Sequence, residues 1–526
     1  MAGKDPLPLI LPAAAPPDPV LIYERLQGPS TPYSFILDSA LPSERLGRYS
    51  WVGLGPFLVL ESKEGRVKLS WNGREKSHKA DPFEVLGQIL NRYQMAPPLD
   101  APVPFWGGAV GFFSYDLGRR IETLPAVAID DLDIPDLVLG FYDTIVAVDH
   151  LKGAVYVCST GLPLAGNEAA GRAEARAGEI LQKLEAAQTS PAHQKPCVQQ
   201  PLCSGTGSCR PASQAGELPG AAVSAVPPGT GTASPNTMAE MGELSLSSIH
   251  SHFTRKSYCR AVERAKDYIA AGDIFQVNLS QRLSAVTDVP PWDLYRRLKR
   301  VNPAPFASYL QYPGLAVVGA SPERFLRLTG RRVETRPIKG TRPRGRDEWT
   351  DRAMGEELWN SLKDRAELTM IIDLERNDLG RVCKTGTVKV PELFCLEEYP
   401  TVFHLVSTVV GKLASGKTLV DLLRASFPGG SITGAPKIRA MEIIEELEPV
   451  RRGIYTGSTG WIGFHGDADL NIVIRTVVLK DGKAHIQVGG GITADSVPEA
   501  EYEETLDKAR ALLRALMENK SAPEKT

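Results

Sequence analysis

The sequence has no hydrophobic run long enough to cross a membrane. Charged residues interrupt every apolar stretch well short of the roughly 18 residues that a membrane helix needs. The apolar segment over residues 7–15 is broken by prolines and follows the mixed pair Lys4 and Asp5, so it does not have the form of a secretory signal. We therefore expect a cytoplasmic protein that makes no contact with membranes.

The sequence also lacks an excess of either charge. Lys and Arg number 60 against 62 Asp and Glu, which gives a formal net charge of -2 at pH 7. No global positive field exists to attract nucleic acid or an anionic membrane surface. We expect no nucleic-acid partner, and an anionic ligand would have to be bound by locally placed cations.

Cysteines are scarce, with seven in 526 residues. An odd number without close pairing argues against the disulfide framework of a small secreted protein, so we expect reduced thiols. Cys197, Cys203, Cys209 and His193 are of zinc-ligand types. Their spacing contains no C-x2-C pair, which disfavours a zinc site.

Aromatic residues are missing from a long central stretch, since no Phe, Tyr or Trp occurs between Tyr156 and Phe253. Residues 165–187 are rich in Ala and Glu and predict one helix, whereas 189–244 are dominated by Ser, Pro, Gly, Ala and Thr, a composition typical of disorder. The chain is therefore predicted to have three parts, which are a β-rich N-terminal domain over 1–188, a low-complexity disordered insertion over 189–250, and a domain over 251–520 that carries the chemical signals.

Alternating polar and apolar residues predict strands on both sides of the insertion. They lie at 34–37, 57–60, 67–71, 144–148, 275–280, 307–311, 315–318, 325–328 and 332–337. Helical periodicity lies at 258–271, 364–379, 435–447 and 498–517. Strands and helices do not alternate regularly, so we predict an α+β fold with antiparallel sheets flanked by helices instead of a parallel doubly wound sheet.

The helix predicted at 498–517 carries a charged face. Glu501, Glu504 and Lys508 fall at i, i+3 and i+7, which places them on one side of the helix. They could be exposed acidic residues that favour a helix N-terminus. They could also hold a hard divalent cation such as Mg²⁺, with Glu367 as the opposing carboxylate.

Two glycine-containing segments offer bare backbone. In the turn over 427–437, Thr433 is a candidate N-cap and Pro436 suits a first helical turn, so the helix start could bind an anion or could simply be capped. Gly489, Gly490 and Gly491 follow a predicted strand but do not form G-x-G-x-x-G before a helix. A dinucleotide-binding fold is therefore rejected.

An arginine-rich segment over 334–345 contains Lys339 at the end of a strand, directly before a glycine. A lysine among other cations can have a lowered pKa and act as a nucleophile. A phosphate-contacting loop or a solvated basic loop fits the same residues.

Together these segments resemble the chorismate-utilising enzymes, the family that includes the large subunits of anthranilate synthase and aminodeoxychorismate synthase. The N-terminal segment over 35–56 is similar to the same family, and the insertion has no counterpart. The matching segments after residue 250 are GDIFQVNLSQRL (272–283), NPAPFASYL (302–310), SPERF (321–325), ETRPIKGTRPRG (334–345), AELTMIIDLERNDLGRV (366–382), FPGGSITGAPKIRAMEIIEELEP (427–449), YTGSTGWIGF (455–464) and GGGITADSVPEAEYEET (489–505).

The resemblance implies a sandwich of two antiparallel sheets with helices outside, and a magnesium-dependent site for chorismate. The residues matching the family's metal ligands are Glu367, Glu501 and Glu504. Those matching its carboxylate-binding groups are Tyr455, Arg475, Gly489, Gly490 and Lys508, and those lining its ring pocket are His404 and Thr433.

The residue at position 339 differs between the two types of enzyme in this family, which form different products. Anthranilate synthases usually read P-I-A-G-T and aminodeoxychorismate synthases P-I-K-G-T, and this chain has the lysine. The resemblance implies attack of Lys339 on chorismate C2, with Glu323 as the acid/base, and formation of 4-amino-4-deoxychorismate, a precursor of p-aminobenzoate and folate. Gln276 stands where water-adding relatives carry a lysine base, which argues against water as the nucleophile. Formation of anthranilate, alone or as a second activity, is the alternative.

Two further partners follow from the resemblance. The sequence has no Gly-x-Cys-x-Gly nucleophile loop, so ammonia is expected from a separate glutamine amidotransferase. The segment ending in Asp38 and Ser39 is similar to the family's tryptophan-binding element, with Asp38 in place of Glu. Tryptophan is therefore a possible ligand near Ser39, although Ser39 could also simply cap a turn.

Overall fold

The computed structural model describes residues 7–41, 45–186, 249–399 and 402–518. Within these ranges the chain forms 24 strands and ten α-helices. The strands are β1 (Leu9–Ala13), β2 (Ser34–Asp38), β3 (Tyr49–Gly53), β4 (Leu58–Lys63), β5 (Arg66–Trp71), β6 (Arg74–Lys79), β7 (Gly108–Phe113), β8 (Leu137–Tyr142), β9 (Thr144–Asp149), β10 (Ala154–Ser159), β11 (Ile249–Ser251), β12 (Gln276–Val286), β13 (Phe306–Tyr312), β14 (Leu315–Ser321), β15 (Arg324–Thr329), β16 (Arg332–Arg336), β17 (Ile338–Pro343), β18 (Lys389–Glu398), β19 (Val402–Lys412), β20 (Gly434–Ala435), β21 (Ser458–Gly463), β22 (Ala468–Ile472), β23 (Thr476–Lys480) and β24 (Lys483–Ile492).

The helices lie between and after these strands. They are α1 (Pro19–Arg25), α2 (Pro82–Arg92), α3 (Gly166–Ala186), α4 (Arg255–Ala270), α5 (Pro291–Val301), α6 (Glu348–Asn360), α7 (Leu362–Gly380), α8 (Leu419–Ser426), α9 (Lys437–Leu447) and α10 (Pro498–Met517). None of the helices in the described ranges is both long and apolar enough to span a membrane.

The strands form two sheets of 12 strands each. The first has the order β1-β10-β9-β3-β2-β13-β14-β23-β24-β12-β11, with β20 on β12, and the second has the order β17-β19-β16-β15-β22-β21-β7-β8-β4-β5-β6, with β18 on β19. Every pairing between these named strands is antiparallel. The predicted α+β fold of two packed antiparallel sheets flanked by helices is confirmed.

The alternation of side chains along each strand places the first sheet between two apolar layers. On β13, Leu310 faces the second sheet and belongs to the large cluster between the sheets. The preceding residue, Tyr309, belongs to a separate cluster with the buried residues of α5 and α10. One face of the first sheet therefore packs on the second sheet, and its other face packs on helices.

Both halves of the chain contribute to both sheets. In the first sheet β2 pairs with β13, and in the second sheet β7 pairs with β21. The predicted division into 1–188 and 251–520 stays a prediction. The predicted insertion, together with the cysteines and His193 considered for zinc, lies outside the described residues, apart from Ile249 and His250 at the start of β11.

Most predicted elements are found near their expected positions, and α10 coincides with the predicted helix at 498–517. The strand predicted at 275–280 is wrong in one respect. Val277 and Leu279 are buried as expected, but Phe275 precedes the strand and is 73% exposed. The polar residue Gln276 is instead fully buried, because β12 lies between β24 and β20.

Candidate active site

Lys339 lies in a β-bulge on β17. Ile338 pairs with Val406 and Thr341 pairs with His404, so two residues of β17 oppose one residue of β19. A bulge of this kind bends a strand and redirects its side chains. Gly340 has a φ of +79°, a conformation that glycine adopts without strain. The Lys339-Gly340 pair is therefore a local device that turns the lysine out of the regular strand.

Glu323 stands directly before a second irregularity. Arg324 pairs with Arg336 and Arg327 with Glu334, which leaves an extra residue on β15. The Glu323 side chain is buried and accepts hydrogen bonds from the Ser431 side chain and the Ile338 backbone. Burial raises the pKa of Glu323 to about 7, although these two bonds and the charge of Lys339 oppose the rise. Glu323 is thus adapted to give and take a proton near neutral pH.

The charge of Lys339 is surrounded by carboxylates. Burial lowers the pKa of the Lys339 amine, and the nearby charges of Glu367 and Glu323 partly offset this effect. A lowered pKa increases the fraction of neutral amine, which is the nucleophilic form. The solvated basic loop considered from the sequence is therefore not what the chain forms at Lys339.

The charged face of α10 points at the same place. The Lys508 Nζ contacts Glu504 Oε1 at 2.6 Å and donates to the Gly489 carbonyl at 2.8 Å. Burial disfavours ionisation of Glu504, but Lys508 and other lysines hold the pKa of Glu504 below its usual value. Burial raises the pKa of Glu501, which accepts a hydrogen bond of 2.6 Å from Ser496. Glu501 is therefore a buried acid, whereas the Glu504 side chain is 52% exposed and is paired with Lys508.

The three glycines on β24 allow other groups to approach the backbone closely. A Cβ at Gly489 would lie 2.5 Å from the Leu279 carbonyl oxygen, and one at Gly491 would lie 2.1 Å from Gln276 Nε2. A Cβ at Gly490 would meet Glu501 Oε2 at 3.1 Å. The bare backbone is therefore needed where β24 passes β12 and α10.

Gln276 is a buried polar side chain without a partner. Neither its Oε1 nor its Nε2 has a hydrogen-bond partner among the described residues. A buried amide without partners costs about 1–3 kcal/mol, so such groups are uncommon in native proteins. The absence of Cβ at Gly491 provides the space for this amide, and its unused donor and acceptor indicate a polar ligand.

Tyr455 and Arg475 lie in backbone segments with left-handed conformations. Thr456 has a φ of +59° and Arg475 a φ of +52°, which is uncommon for residues other than glycine. Arg475 Nη1 donates to the Lys508 carbonyl at 2.7 Å, and burial lowers the pKa of its guanidinium while the Tyr455 and Glu504 groups oppose this. The geometry brings Arg475, Tyr455 and the α10 side chains together, and their role in binding carboxylates stays a prediction.

His404 and Thr433 line the same region in different ways. The Nδ1 of His404 lies 2.9 Å from the Thr341 hydroxyl, and burial lowers the pKa of His404 to about 4, so the ring is neutral at pH 7. The expectation that Thr433 caps a helix is wrong. Pro436 occupies the N-cap position of α9, and the Thr433 hydroxyl donates to the Gly429 carbonyl at 3.0 Å. Thr433 thereby closes the turn that carries Ser431.

The carboxylates near Lys339 fit the chemistry of a magnesium site. Glu367, Glu501 and Glu504 offer only oxygen donors, and burial raises the pKa of Glu367 and Glu501, with the charge of Glu504 adding to both effects. Within the described ranges no three His, Cys, Asp or Glu side chains are close enough together to hold a metal. Mg²⁺ commonly takes one or two carboxylates and completes its shell with water and substrate, so this arrangement is compatible with it.

Ser39 lies away from this cluster, at a separate cavity of about 360 Å³ between the sheets. The Ser39 hydroxyl donates to the Tyr49 carbonyl at 2.7 Å. Asp38 makes contacts of 2.7 Å with both Lys299 Nζ and the Tyr295 hydroxyl, so its carboxylate is already compensated. Trp51 and Trp461 also line the cavity, and their indole N–H groups have no hydrogen-bond partner in the described part of the chain.

Sequence reasoning assigned no role to three residues that reach the Lys339 cluster, which comprises Lys339, Glu323, Glu367, Glu501, Glu504 and Lys508. Ser431 donates to Glu323, and the charge of Lys363 acts on Glu367, Glu501 and Glu504. Glu375 is buried near Glu323, which together with burial raises the pKa of Glu375 well above its usual value. The sequence carried no signal for these roles, because only the packing of α7 against the 430–433 turn brings them near.

Comparisons with known proteins identify the family of the chain. A family model described as chorismate binding enzyme matches residues 32–514. The chain is 42% identical over 500 residues to anthranilate synthase component 1 of Thermus thermophilus, covering 95% of each chain. It is 41% identical over 485 residues to aminodeoxychorismate synthase component 1 of Salmonella typhimurium, covering 92% of this chain and 93% of that one.

A solved structure shows the same fold. Anthranilate synthase component I from Streptococcus pneumoniae matches with a TM-score of 0.70 at 30% identity, covering 90% of this chain and 94% of that chain. The chain therefore belongs to the chorismate binding enzyme family. It is an enzyme chain of the type shared by the component 1 proteins of anthranilate synthase and aminodeoxychorismate synthase.

Replacing Gln276 by leucine should leave the free energy of unfolding unchanged or raised, because the substitution removes two unpaired buried polar atoms. Gln281 on the same strand is the matched control, since it is equally buried but bonded to Thr505 and Ser251. Gln281→Leu should lower the free energy of unfolding by about 1–3 kcal/mol. Urea unfolding of both variants measures the difference, and an equal loss in both would show that Gln276 serves the fold instead of a ligand.

Proposed function

We propose that the protein converts chorismate and ammonia to 4-amino-4-deoxychorismate, with Lys339 as the covalent nucleophile. The observation that carries this proposal is the bulge at Lys339, whose charge acts on Glu323. Burial lowers the pKa of the lysine and raises that of the glutamic acid. The two shifts favour a neutral amine beside a protonated carboxyl. A nucleophile and a proton donor are the two groups that displacement of a hydroxyl requires.

The reaction would proceed in two displacements. The Lys339 amine forms a bond to chorismate C2, the two ring double bonds shift, and the C4–O bond breaks as Glu323 protonates the departing hydroxyl to water. Ammonia then forms a bond to C4, the double bonds shift back, and the bond between C2 and Lys339 breaks. The surplus proton of the ammonium returns to the Glu323 carboxylate, and the neutral lysine is regenerated.

The charges of the region support a requirement for Mg²⁺. The cationic side chains are Lys339, Lys363, Lys508 and Arg475, and the acidic side chains are Glu323, Glu367, Glu501 and Glu504. Four cationic side chains therefore face four acidic side chains, so the charges of the region balance one another. The two carboxylates of chorismate would then be uncompensated, and a divalent cation held by one or two of the carboxylates of Glu367, Glu501 and Glu504 would supply the two missing positive charges.

We propose that ammonia comes from a separate glutamine amidotransferase. The sequence has no Gly-x-Cys-x-Gly loop. Burial raises the pKa of Cys158, Cys259 and Cys383, whereas a nucleophilic cysteine needs a lowered pKa. The designation component 1 of the relatives also implies a second component.

Anthranilate formation is the alternative, because relatives of comparable identity carry both names. Incubation of the purified chain with chorismate, Mg²⁺ and ammonium should yield aminodeoxychorismate, which becomes p-aminobenzoate only when a lyase is added. Lys339→Ala and Lys339→Arg should each reduce this product at least a hundredfold. The arginine variant is the control for charge, because it keeps the cation but is not a nucleophile at accessible pH.

Chromatography with mass detection separates the two products, and addition of a chelator should stop the reaction. Release of anthranilate and pyruvate by the unaltered chain would assign it to the alternative. Undiminished turnover in both Lys339 variants would exclude the covalent step.

The pKa of Glu323, raised to about 7, predicts the pH dependence of kcat. Because Glu323 must be protonated to protonate the departing hydroxyl, kcat should fall about tenfold per unit as the pH rises above about 7. Glu323→Gln should lower kcat by about 10²–10⁴ at every pH and abolish that limb. The profile is measured with free ammonia held constant, and an unchanged alkaline limb in the variant would assign the titration to another group.

We also propose that the cavity beside Ser39 binds tryptophan. Trp51 and Trp461 line the cavity together with Ser39, and their unpartnered indole N–H groups can donate to a carboxylate. Aromatic walls suit an indole ring, and a small number of polar groups suit an amino acid. A ligand bound there would lie close to Glu323, because the neighbouring residue Arg324 also lines the cavity.

Calorimetry with tryptophan should show binding that weakens severalfold in Trp461→Phe, because that variant keeps the ring but loses the N–H donor. Trp292→Phe is the matched control, since its N–H donates to Glu24 outside the cavity. No heat at millimolar tryptophan would end the proposal.

A further inference from the structure

Arg452 and Glu448 form a buried ion pair beside the candidate active site. Each residue is 3% exposed. Arg452 Nε donates to Glu448 Oε2 at 2.9 Å, and its Nη2 donates to Oε1 at 2.6 Å, which is a bidentate contact. Neither residue contacts the Lys339 cluster in any described interaction, so the catalytic steps above make no use of them.

The remaining donors of Arg452 reach three separate segments. Its Nη2 donates to the Asn278 carbonyl at 2.7 Å, and its Nη1 donates to the Ile432 carbonyl at 3.1 Å and to the Thr456 hydroxyl at 3.3 Å. All five guanidinium N–H donors thereby have an acceptor. Glu448 Oε1 also accepts from the backbone N–H and the hydroxyl of Ser280, each at 2.8 Å.

Each of these segments carries a group of the active site. Asn278 and Ser280 follow Gln276 on β12, and Ser280 lies opposite Gly489. Ile432 lies between Ser431, which donates to Glu323, and Thr433.

The third segment carries Tyr455. The Thr456 hydroxyl, which accepts from Arg452, donates to the Tyr455 carbonyl at 2.6 Å. The guanidinium carbon of Arg452 also lies 5.8 Å from the centre of the Tyr455 ring. The backbone at Thr456 has a φ of +59°, and such a conformation persists only when its surroundings hold it.

We infer that the Arg452–Glu448 pair is a positioning device, which joins the β12 segment, the 431–433 turn and the Tyr455 segment into one rigid wall for chorismate. The inference rests on the proposed function, because it assigns Tyr455 and Gln276 to substrate binding. A buried ion pair is often replaceable by apolar residues without loss of stability. Apolar residues cannot replace its hydrogen bonds to three segments. Apolar substitution of the pair should therefore weaken chorismate binding more than it lowers the stability of the fold.

The test measures the dissociation constant of chorismate by calorimetry and the unfolding midpoint in urea, in the full chain with Mg²⁺. Arg452→Lys should weaken chorismate binding at least tenfold, because an ammonium has three donors and cannot reach all the acceptors. Arg451→Met is the matched control. Its neighbouring guanidinium contacts Glu64 and Asp130 instead, so chorismate binding should change less than twofold.

The double variant Arg452→Met, Glu448→Met separates positioning from stability. It should recover most of the unfolding midpoint that Arg452→Met alone loses, because no unpaired buried charge remains, yet its chorismate binding should stay at least tenfold weaker. Thr456→Val removes one acceptor without leaving a buried charge and should weaken binding about threefold. If the other variants do not fold, Thr456→Val alone tests the inference.

The outcomes are distinguishable. Wild-type chorismate affinity in the folded Arg452→Lys or double variant, or in Thr456→Val where those two do not fold, would overturn the inference and leave the proposed function intact. Absence of chorismate binding to the unaltered chain would overturn the proposed function itself, and with it the inference.

Discussion

A buried charge is stable only where an opposite charge or a hydrogen bond compensates it, and the region around Lys339 depends on this constraint. Lys508 compensates Glu504 directly, whereas Glu323 and Lys339 each shift toward their neutral forms. The shifts have one cause, which is removal from water, but opposite signs, because burial disfavours the charged form of an acid and of a base alike. Burial therefore favours the protonated form of an acid and the neutral form of an amine at the same place.

The sheets provide the precision that this pair needs. Lys339 lies in one bulge and Glu323 directly precedes another, and each bulge adds a residue to a strand that is otherwise held in register by its neighbours. A bulge redirects a side chain without releasing the strand, so flexible loops are not required to bring the two groups together. The glycines of β24 have the complementary effect, since they let Gln276 and α10 approach a bare backbone.

The spacing of apolar residues and the positions of proline and glycine predicted many of the strands and helices. The helix at 498–517 was predictable because its apolar stripe and Pro498 are local features. The exposure of Phe275 and the burial of Gln276 were not, since burial of β12 depends on β20 and β24, which come from distant parts of the chain. The prediction that Thr433 caps a helix was wrong for a related reason, because its hydroxyl donates to a carbonyl of the preceding turn.

The sequence by itself determined the residue types of the candidate site, and it carried the segments that resemble the family. Tertiary structure alone decided which groups are buried, and therefore which pKa values shift. It also decided that Arg452 and Glu448, which have no motif of their own, join the segment at Asn278 to the segments at Ile432 and Thr456, which lie more than a hundred residues further along the chain. Hydrogen bonds and burial depend on distances in space, which local spacing along the chain does not encode.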